Sequence, residues 1–127
     1  MQINIHARNF ILTDAIRTYI TRRLAYALSS RDEHIQRINV RLSDINGPRG
    51  GADKRFQIQV VLDQLSDVVI EDTEVDLYVA IDRAVDRASR TVDRKLNRHR
   101  YRSRVVRRKH IALSVEGYDS HELSHAG

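Results

Sequence analysis

The chain has 127 residues with no Cys and no Trp, and its 22 Lys and Arg outnumber 17 Asp and Glu for a formal net charge of +5. That length suits one domain with a modest core, and the lack of thiols excludes a disulfide framework and a thiolate zinc site. A sequence pI of about 10.0 points to a polyanionic partner, nucleic acid ahead of an anionic membrane. No apolar run reaches the roughly 18 residues of a spanning helix, and residues 1–5 lack the charged start and apolar block of a secretory signal, so a cytoplasmic address is expected.

Ile3, Ile5 and Ala7 alternate with Asn4 and His6, the period of a half-buried strand over residues 2–7. Arg8 and Asn9 turn the chain. Thr13 is placed to cap a helix, with Asp14 in the first turn where a negative charge complements the dipole. That helix is expected over residues 14–28. Ile16, Tyr19, Ile20, Leu24, Ala27 and Leu28 form its apolar stripe, Arg22 points away, and Arg17 and Arg23 lie on the flanks. Residues 29–34 read as a polar exit loop.

A second strand is expected over residues 35–44, where Ile38, Val40 and Leu42 alternate with Arg37, Asn39, Arg41 and Ser43. Asn46-Gly47-Pro48-Arg49-Gly50-Gly51 cannot continue it. Phe56, Ile58, Val60 and Leu62 resume the period over residues 54–62, so the simplest arrangement is an antiparallel pair joined by a long Gly-rich loop. A shorter turn leads to a fourth strand at 68–72, and Thr73-Glu74-Val75-Asp76 has the form of a capping box with an acidic first turn.

Residues 75–109 then read as one long helix. Leu77, Ile81, Ala84, Val85, Ala88, Val92 and Leu96 recur at steps of three and four and share one stripe. Arg83, Arg87, Arg90, Arg94 and Arg98 recur by the same steps and cluster more than about 100° from that stripe, a rail about 22 Å long. From Arg83 to Lys109 there are ten Arg and two Lys against Asp86 and Asp93, a local +10 inside a chain of +5. Past about Tyr101 the apolar stripe fades, so the helix is expected to fray or project there. Residues 111–115 have the pattern of a short strand, and 116–127 read as a disordered polar tail.

The order strand, helix, three strands, helix predicts an α+β fold. Its form is a two-layer sandwich, with both helices on one face of a four-stranded sheet and a right-handed crossover from the first strand to a parallel neighbour. One domain, residues 1–100, is followed by a basic and then polar tail, 101–127.

Most charged helix faces are only solvated, with pairs such as Asp86 to Arg90 at i,i+4. Here the three carboxylates Asp82, Asp86 and Asp93 lie on their own strip and are too few to neutralise the row, which favours phosphate-backbone binding. Arginine rather than lysine suits bidentate phosphate contacts. Only two Phe and no Trp argue against a platform that stacks single-stranded bases, so the shape and phosphates of structured RNA fit better.

Other clusters carry less. The loop 46–53 permits close approach of phosphate through Gly47, Gly50 and Gly51 but lacks the ending of a nucleotide-binding loop, and a hairpin connection explains it equally well. Glu71, Asp72, Glu74 and Asp76 suggest a metal or an acid–base pair, yet dipole and cap roles at a helix start account for them more cheaply. His121 and His125 have a metal-like spacing without a third ligand. No metal, cofactor or small-molecule substrate is expected, and nothing in the sequence reads as a catalytic centre.

Three stretches carry a family resemblance. Arg8-Asn9-Phe10 with Thr13-Asp14-Ala15-Ile16-Arg17-Thr18-Tyr19-Ile20, the loop from Asp44 through Asn46-Gly47-Pro48-Arg49-Gly50-Gly51 to Lys54, and Asp76-Leu77-Tyr78-Val79-Ala80-Ile81-Asp82-Arg83-Ala84 are similar to the ribosome hibernation promoting factor family. That family is also known as ribosome-associated inhibitor A or sigma modulation protein. The resemblance covers about residues 1–100, and the Leu-Tyr-x-Ala-Ile-Asp segment is its most specific part. It implies a β-α-β-β-β-α fold similar to a double-stranded-RNA-binding domain, docked between head and body of the small ribosomal subunit. There it overlaps the paths of messenger RNA and transfer RNA and blocks translation in stationary phase or stress. The implied RNA-facing positions are Arg22 and Arg23 of the first helix, then Arg83, Arg87, Arg90, Arg94, Lys95 and Arg98 of the second. Long family members add a dimerisation domain, for which residues 101–127 leave no room.

The function expected from both lines is a non-enzymatic translation inhibitor bound to small-subunit ribosomal RNA. The alternatives are a module for other structured RNA or for sigma-dependent transcription, and, third, a metal-dependent nuclease using the Glu71 to Asp76 carboxylates.

Overall fold

The computed structural model describes residues 1–45 and 53–100 with their side chains, and residues 101–114 as helical backbone. In chain order the elements are β1 (Gln2–Arg8), α1 (Asp14–Leu28), a 3-10 helix (Ser29–His34), β2 (Ile35–Asp44), β3 (Lys54–Leu62), β4 (Val68–Glu74) and α2 (Leu77–Ser114). The α+β order matches the one the sequence predicts. The strands lie side by side as β1-β2-β3-β4. β1 runs parallel to β2, as the crossover through α1 requires, and β2-β3 and β3-β4 are antiparallel.

Local chemistry explains most element boundaries. Asn9 takes a φ of 53°, a left-handed conformation that Asn tolerates better than most residues, and so ends β1. Thr13 Oγ1 accepts from the Ile16 amide at 3.2 Å and starts α1. At the other end, the peptide segment 29–34 winds into a 3-10 helix rather than an open loop. β2 and β3 are closed at their loop end by the Ile45 amide donating to the Asp53 carbonyl at 2.9 Å. There Lys54 Nζ lies 2.8 Å from Asp44, and that hydrogen bond is the main reason its ammonium is held above the ordinary lysine value. The loop 46–52, weighed above as a phosphate cradle, falls outside the described residues.

The capping box at Thr73 is not used. β4 extends to Glu74, so Thr73 and Glu74 are strand residues, and α2 is capped instead by Asp76, whose Oδ1 accepts from the Tyr78 amide at 2.9 Å. Cross-strand pairing of Thr73 with Arg55 and of Glu74 with Lys54 holds those residues in the ladder and overrides the local capping pattern. α2 therefore begins at Leu77, and Val75 stays outside it, 67% exposed.

The far end of α2 also departs from expectation. The helix runs to Ser114, through residues 101–109 where it was expected to fray or project and through 111–114 where a short strand was expected. No Pro or Gly interrupts that stretch, and extending an existing helix needs no new nucleus. Residues 115–127, with His121 and His125, lie outside the described residues. By compactness the chain divides into a unit Met1–Thr91 and a unit Val92–Gly127, a boundary inside α2.

The core of the first unit lies on one face of the sheet. Ile38, Val40 and Leu42 of β2 and Phe56, Ile58 and Val60 of β3 are buried, while the residues alternating with them are exposed or half-buried. Ile20, Leu24 and Leu28 of α1 and Leu77, Ala80, Ile81, Ala84, Val85 and Ala88 of α2 are buried too. The helices touch each other, for Ser89 Oγ donates to the Ala27 carbonyl at 3.3 Å. With the buried apolar residues of β2 and β3 on one face of the sheet and the helices side by side, both helices cover that face. Alanines at 80, 84 and 88 give α2 a smooth flank for close packing. In the second unit, Val92 and Leu96 continue the stripe and are buried.

One irregularity in β2 is invisible in its period. Ile35 pairs with Leu62 and Arg37 with Val61, so the register shifts at Gln36. The extra residue lets Ile35 and Ile38 both point inward, although three residues apart they would otherwise face opposite sides.

Candidate nucleic-acid interface

Solvent reaches the arginine row of α2 as the helical period requires. Arg83, Arg87 and Arg90 of the first unit are exposed, as are Arg94 and Arg98 of the second, and Lys95 is half-buried. The local electrostatics are less simple than a bare rail. Arg83 Nη1 lies 2.9 Å from Glu74 of β4, Arg87 Nη1 donates to the Glu71 carbonyl at 3.2 Å, and Arg90 pairs with Asp86 at 3.0 Å. Arg83 and Arg87 are thereby drawn toward the β4 edge. The Arg83 and Arg90 side chains are 65% and 64% exposed, and ion pairs in that setting contribute little and exchange readily for another anion. In the second unit Arg94, Asn97 and Arg98 line a shallow depression of about 360 Å³ on one side of the helix.

The two arginines of α1 separate. Arg22 is exposed, with no ion pair among the described residues, whereas Arg23 donates through Nε to Asp82 Oδ1 at 3.0 Å with its side chain 33% exposed. The same oxygen accepts from the Tyr19 hydroxyl at 2.6 Å, and the Tyr19 ring meets the Tyr78 ring edge-on, centroids 4.8 Å apart. The hydrogen bond to Asp82 raises the Tyr19 pKa above its ordinary value, and burial and the Asp82 charge add to it. The segment Leu77-Tyr78-Val79-Ala80-Ile81-Asp82 thus has a structural role: Leu77, Ala80 and Ile81 enter the core, and Tyr78 and Asp82 clamp α1.

The carboxylates considered for catalysis disperse. Glu71 pairs with Arg55 at 2.8 Å, Glu74 with Arg83, Asp72 Oδ1 accepts from the Thr73 amide, and Asp76 caps α2. Among the described residues no three His, Cys, Asp or Glu side chains are grouped to hold a metal ion.

A second cationic group, not singled out by the helical pattern, forms on the face of the sheet away from the helices. Cross-strand register aligns His6 with Arg41 and Gln57, and in the next outward row Arg8 with Ser43 and Arg55. These six side chains line a depression of about 460 Å³. The alternation of Arg37, Asn39, Arg41 and Ser43 already places two of the cations of this face outward; only strand pairing adds the others.

The fold and its surface define a small α+β protein with exposed arginines along one helix. The comparisons with known proteins give its kin. Residues 3–100 match the model of the family described as sigma 54 modulation protein / S30EA ribosomal protein, and the chain belongs to that family. It is similar to the crystal structure of the Thermus thermophilus Protein Y N-terminal domain, at 38% identity and a TM-score of 0.63, over 74% of this chain and 98% of that one. A ribosomal subunit interface protein from Coxiella burnetii shares the fold, with 17% identity and a TM-score of 0.65 over 74% of this chain and 96% of that one. No curated protein matched in the corresponding search. The family is that of the ribosome hibernation factors, as the resemblance implies, and the chain is a ribosome-associated, non-enzymatic protein. No helix among the described residues is long and apolar enough to cross a membrane.

Proposed function

We propose that the protein is a hibernation factor that binds ribosomal RNA of the small subunit through α2, with help from α1, and blocks translation by occupying the channel of messenger and transfer RNA. The address this implies is the cytoplasm, and the setting is stress or stationary phase. The observation that carries the reading is the exposed arginine row, Arg83, Arg87 and Arg90 with Arg94 and Arg98 after them, in a chain of this family. Guanidinium groups fork onto phosphates, and a helix holds them in fixed register. The reading also uses Arg22 of the first unit and Lys95 of the second, and Arg23 contributes from its place beside Asp82. The chain's net charge of +5 understates the field at this helix, which carries +10 between Arg83 and Lys109.

Co-sedimentation with ribosomes tests the proposal. The parent chain is expected to pellet with small subunits at low salt, and the variant Arg87→Glu, Arg90→Glu, Arg94→Glu to stay in the supernatant. Undiminished pelleting of that folded variant would remove the helix from the interface. Equal affinity for generic duplex RNA and for the subunit would favour a general RNA-binding module instead.

A further inference from the structure

We propose that the face of the sheet opposite the helices is a second RNA-binding surface, on which Arg8, Arg41, Arg55 and Arg37 grip the phosphodiester backbone of a strand. The inference is independent of the arginine row of α2, since it uses none of those residues.

Position and charge support it. Strand alternation and register put Arg8, Arg37, Arg41 and Arg55 outward on this face, where Glu71 is the facing carboxylate among the described strand residues. Glu71 is engaged by Arg55 at 2.8 Å, while Arg8, Arg37 and Arg41 are exposed and have no ion pair among the described residues. Uncompensated guanidiniums on a flat sheet repel one another, and a bound anion relieves that repulsion. The depression of about 460 Å³ lined by His6, Arg8, Arg41 and Arg55 gives a phosphate a concave seat.

A strand is favoured over a free phosphate because the cations are spread out. Arg37 and Arg41 are separated by four residues of β2, about 13 Å of extended chain, too far for one phosphate to reach both. Between them runs an amide ladder. Asn4 Nδ2 donates to Asn39 Oδ1 at 3.2 Å, Asn39 Nδ2 to Gln59 Oε1 at 3.1 Å, and Gln59 Nε2 to Asp67 Oδ2 at 2.7 Å. Each amide keeps a second N–H for sugar or base edges, whichever bases are present. RNA is favoured over an acidic peptide because the outward strand positions carry no Phe, Tyr or Trp to anchor a peptide.

The test is fluorescence anisotropy of a labelled uridine oligonucleotide about twelve nucleotides long, titrated with the full chain and its variants at several salt concentrations. Arg8→Gln with Arg41→Gln is expected to weaken binding and to flatten the slope of log affinity against log salt by about 1.4, and Arg37→Gln by about 0.7. Thermal melts matching the parent will show that the variants fold. Unchanged affinity and slope in both variants would overturn the proposal. So would inorganic phosphate saturating the Arg8 and Arg41 side-chain NMR signals while Arg37→Gln leaves RNA binding intact, which would make this a small-phosphate site. Displacement of the RNA by polyglutamate as effective as displacement by unlabelled RNA would point to a peptide surface and also overturn it. Arg87→Gln with Arg90→Gln in the same titration separates the two faces. Loss in the helix variant alone refutes the sheet site, and loss in the sheet variants alone upholds it while refuting the helical one.

Discussion

The Tyr19 hydroxyl donates to Asp82 Oδ1 at 2.6 Å and joins the two helices across 63 residues of sequence. Arg23 Nε reaches the same oxygen at 3.0 Å, so one carboxylate oxygen sets the position of an aromatic ring and a cation together. A half-exposed site of this kind stabilises the helix pair modestly and orients Arg23 more than it frees it.

Tyr19→Phe keeps the edge-on contact with Tyr78 and loses only the hydroxyl, so a cost of about 1 kcal/mol is expected from urea unfolding at neutral pH. The Tyr19 pKa is raised in the folded chain above 10.0, first by its hydrogen bond to Asp82. A raised folded pKa means that this stabilisation is fully present below the unfolded value and is lost as pH climbs through the folded one. The parent should therefore lose more stability than Tyr19→Phe between neutral pH and strong alkali. Parallel pH profiles for the two proteins would show that the bond contributes nothing.

Phe56 is fully buried near the start of β3, and its replacement by Ala is expected to cost about 3–5 kcal/mol. Loss below about 1 kcal/mol in a denaturant titration would mean that the sheet and the helices are not packed around this ring.

Thr13→Ala removes the acceptor for the Ile16 amide at the start of α1. About 1 kcal/mol of destabilisation is expected, with Thr13→Ser close to the parent. A Ser variant as weak as the Ala variant would assign the effect to packing of the Thr methyl rather than to the cap.

If about five phosphates meet the arginine row, log affinity for the ribosome should fall with log salt at a slope of about −4. Measured pelleting that scarcely changes with salt would rule out a phosphate-dominated interface.

Removing residues 101–127 is expected to leave thermal unfolding of the remaining chain unchanged and to weaken ribosome binding, because the removed part carries Arg102, Arg104, Arg107, Arg108 and Lys109. Circular dichroism of the truncated chain checks the first half. Equal co-sedimentation of the two forms would discard the second.

Local periodicity in the sequence determined a good deal of this protein. Strand alternation, the Thr13 cap and the three-and-four spacing of Leu77, Ile81, Ala84, Val85 and Ala88 depend on neighbours within a turn or a pleat, so they can be read without knowing where the chain goes next. The exposed arginines of α2 follow from that same period. Tertiary structure alone decided which groups meet. Pairing with β3 drew Thr73 and Glu74 into β4 and passed the cap to Asp76, and the register shift at Gln36 turned Ile35 inward. Packing of α1 beside α2 gave Tyr19 and Arg23 to Asp82, which no spacing foretells. Parallel pairing of β1 with β2 brought Arg8 into the row of Ser43 and Arg55, beside that of His6 and Arg41. Each is a contact between distant parts of the chain, fixed by how whole faces bury together rather than by the residues on either side.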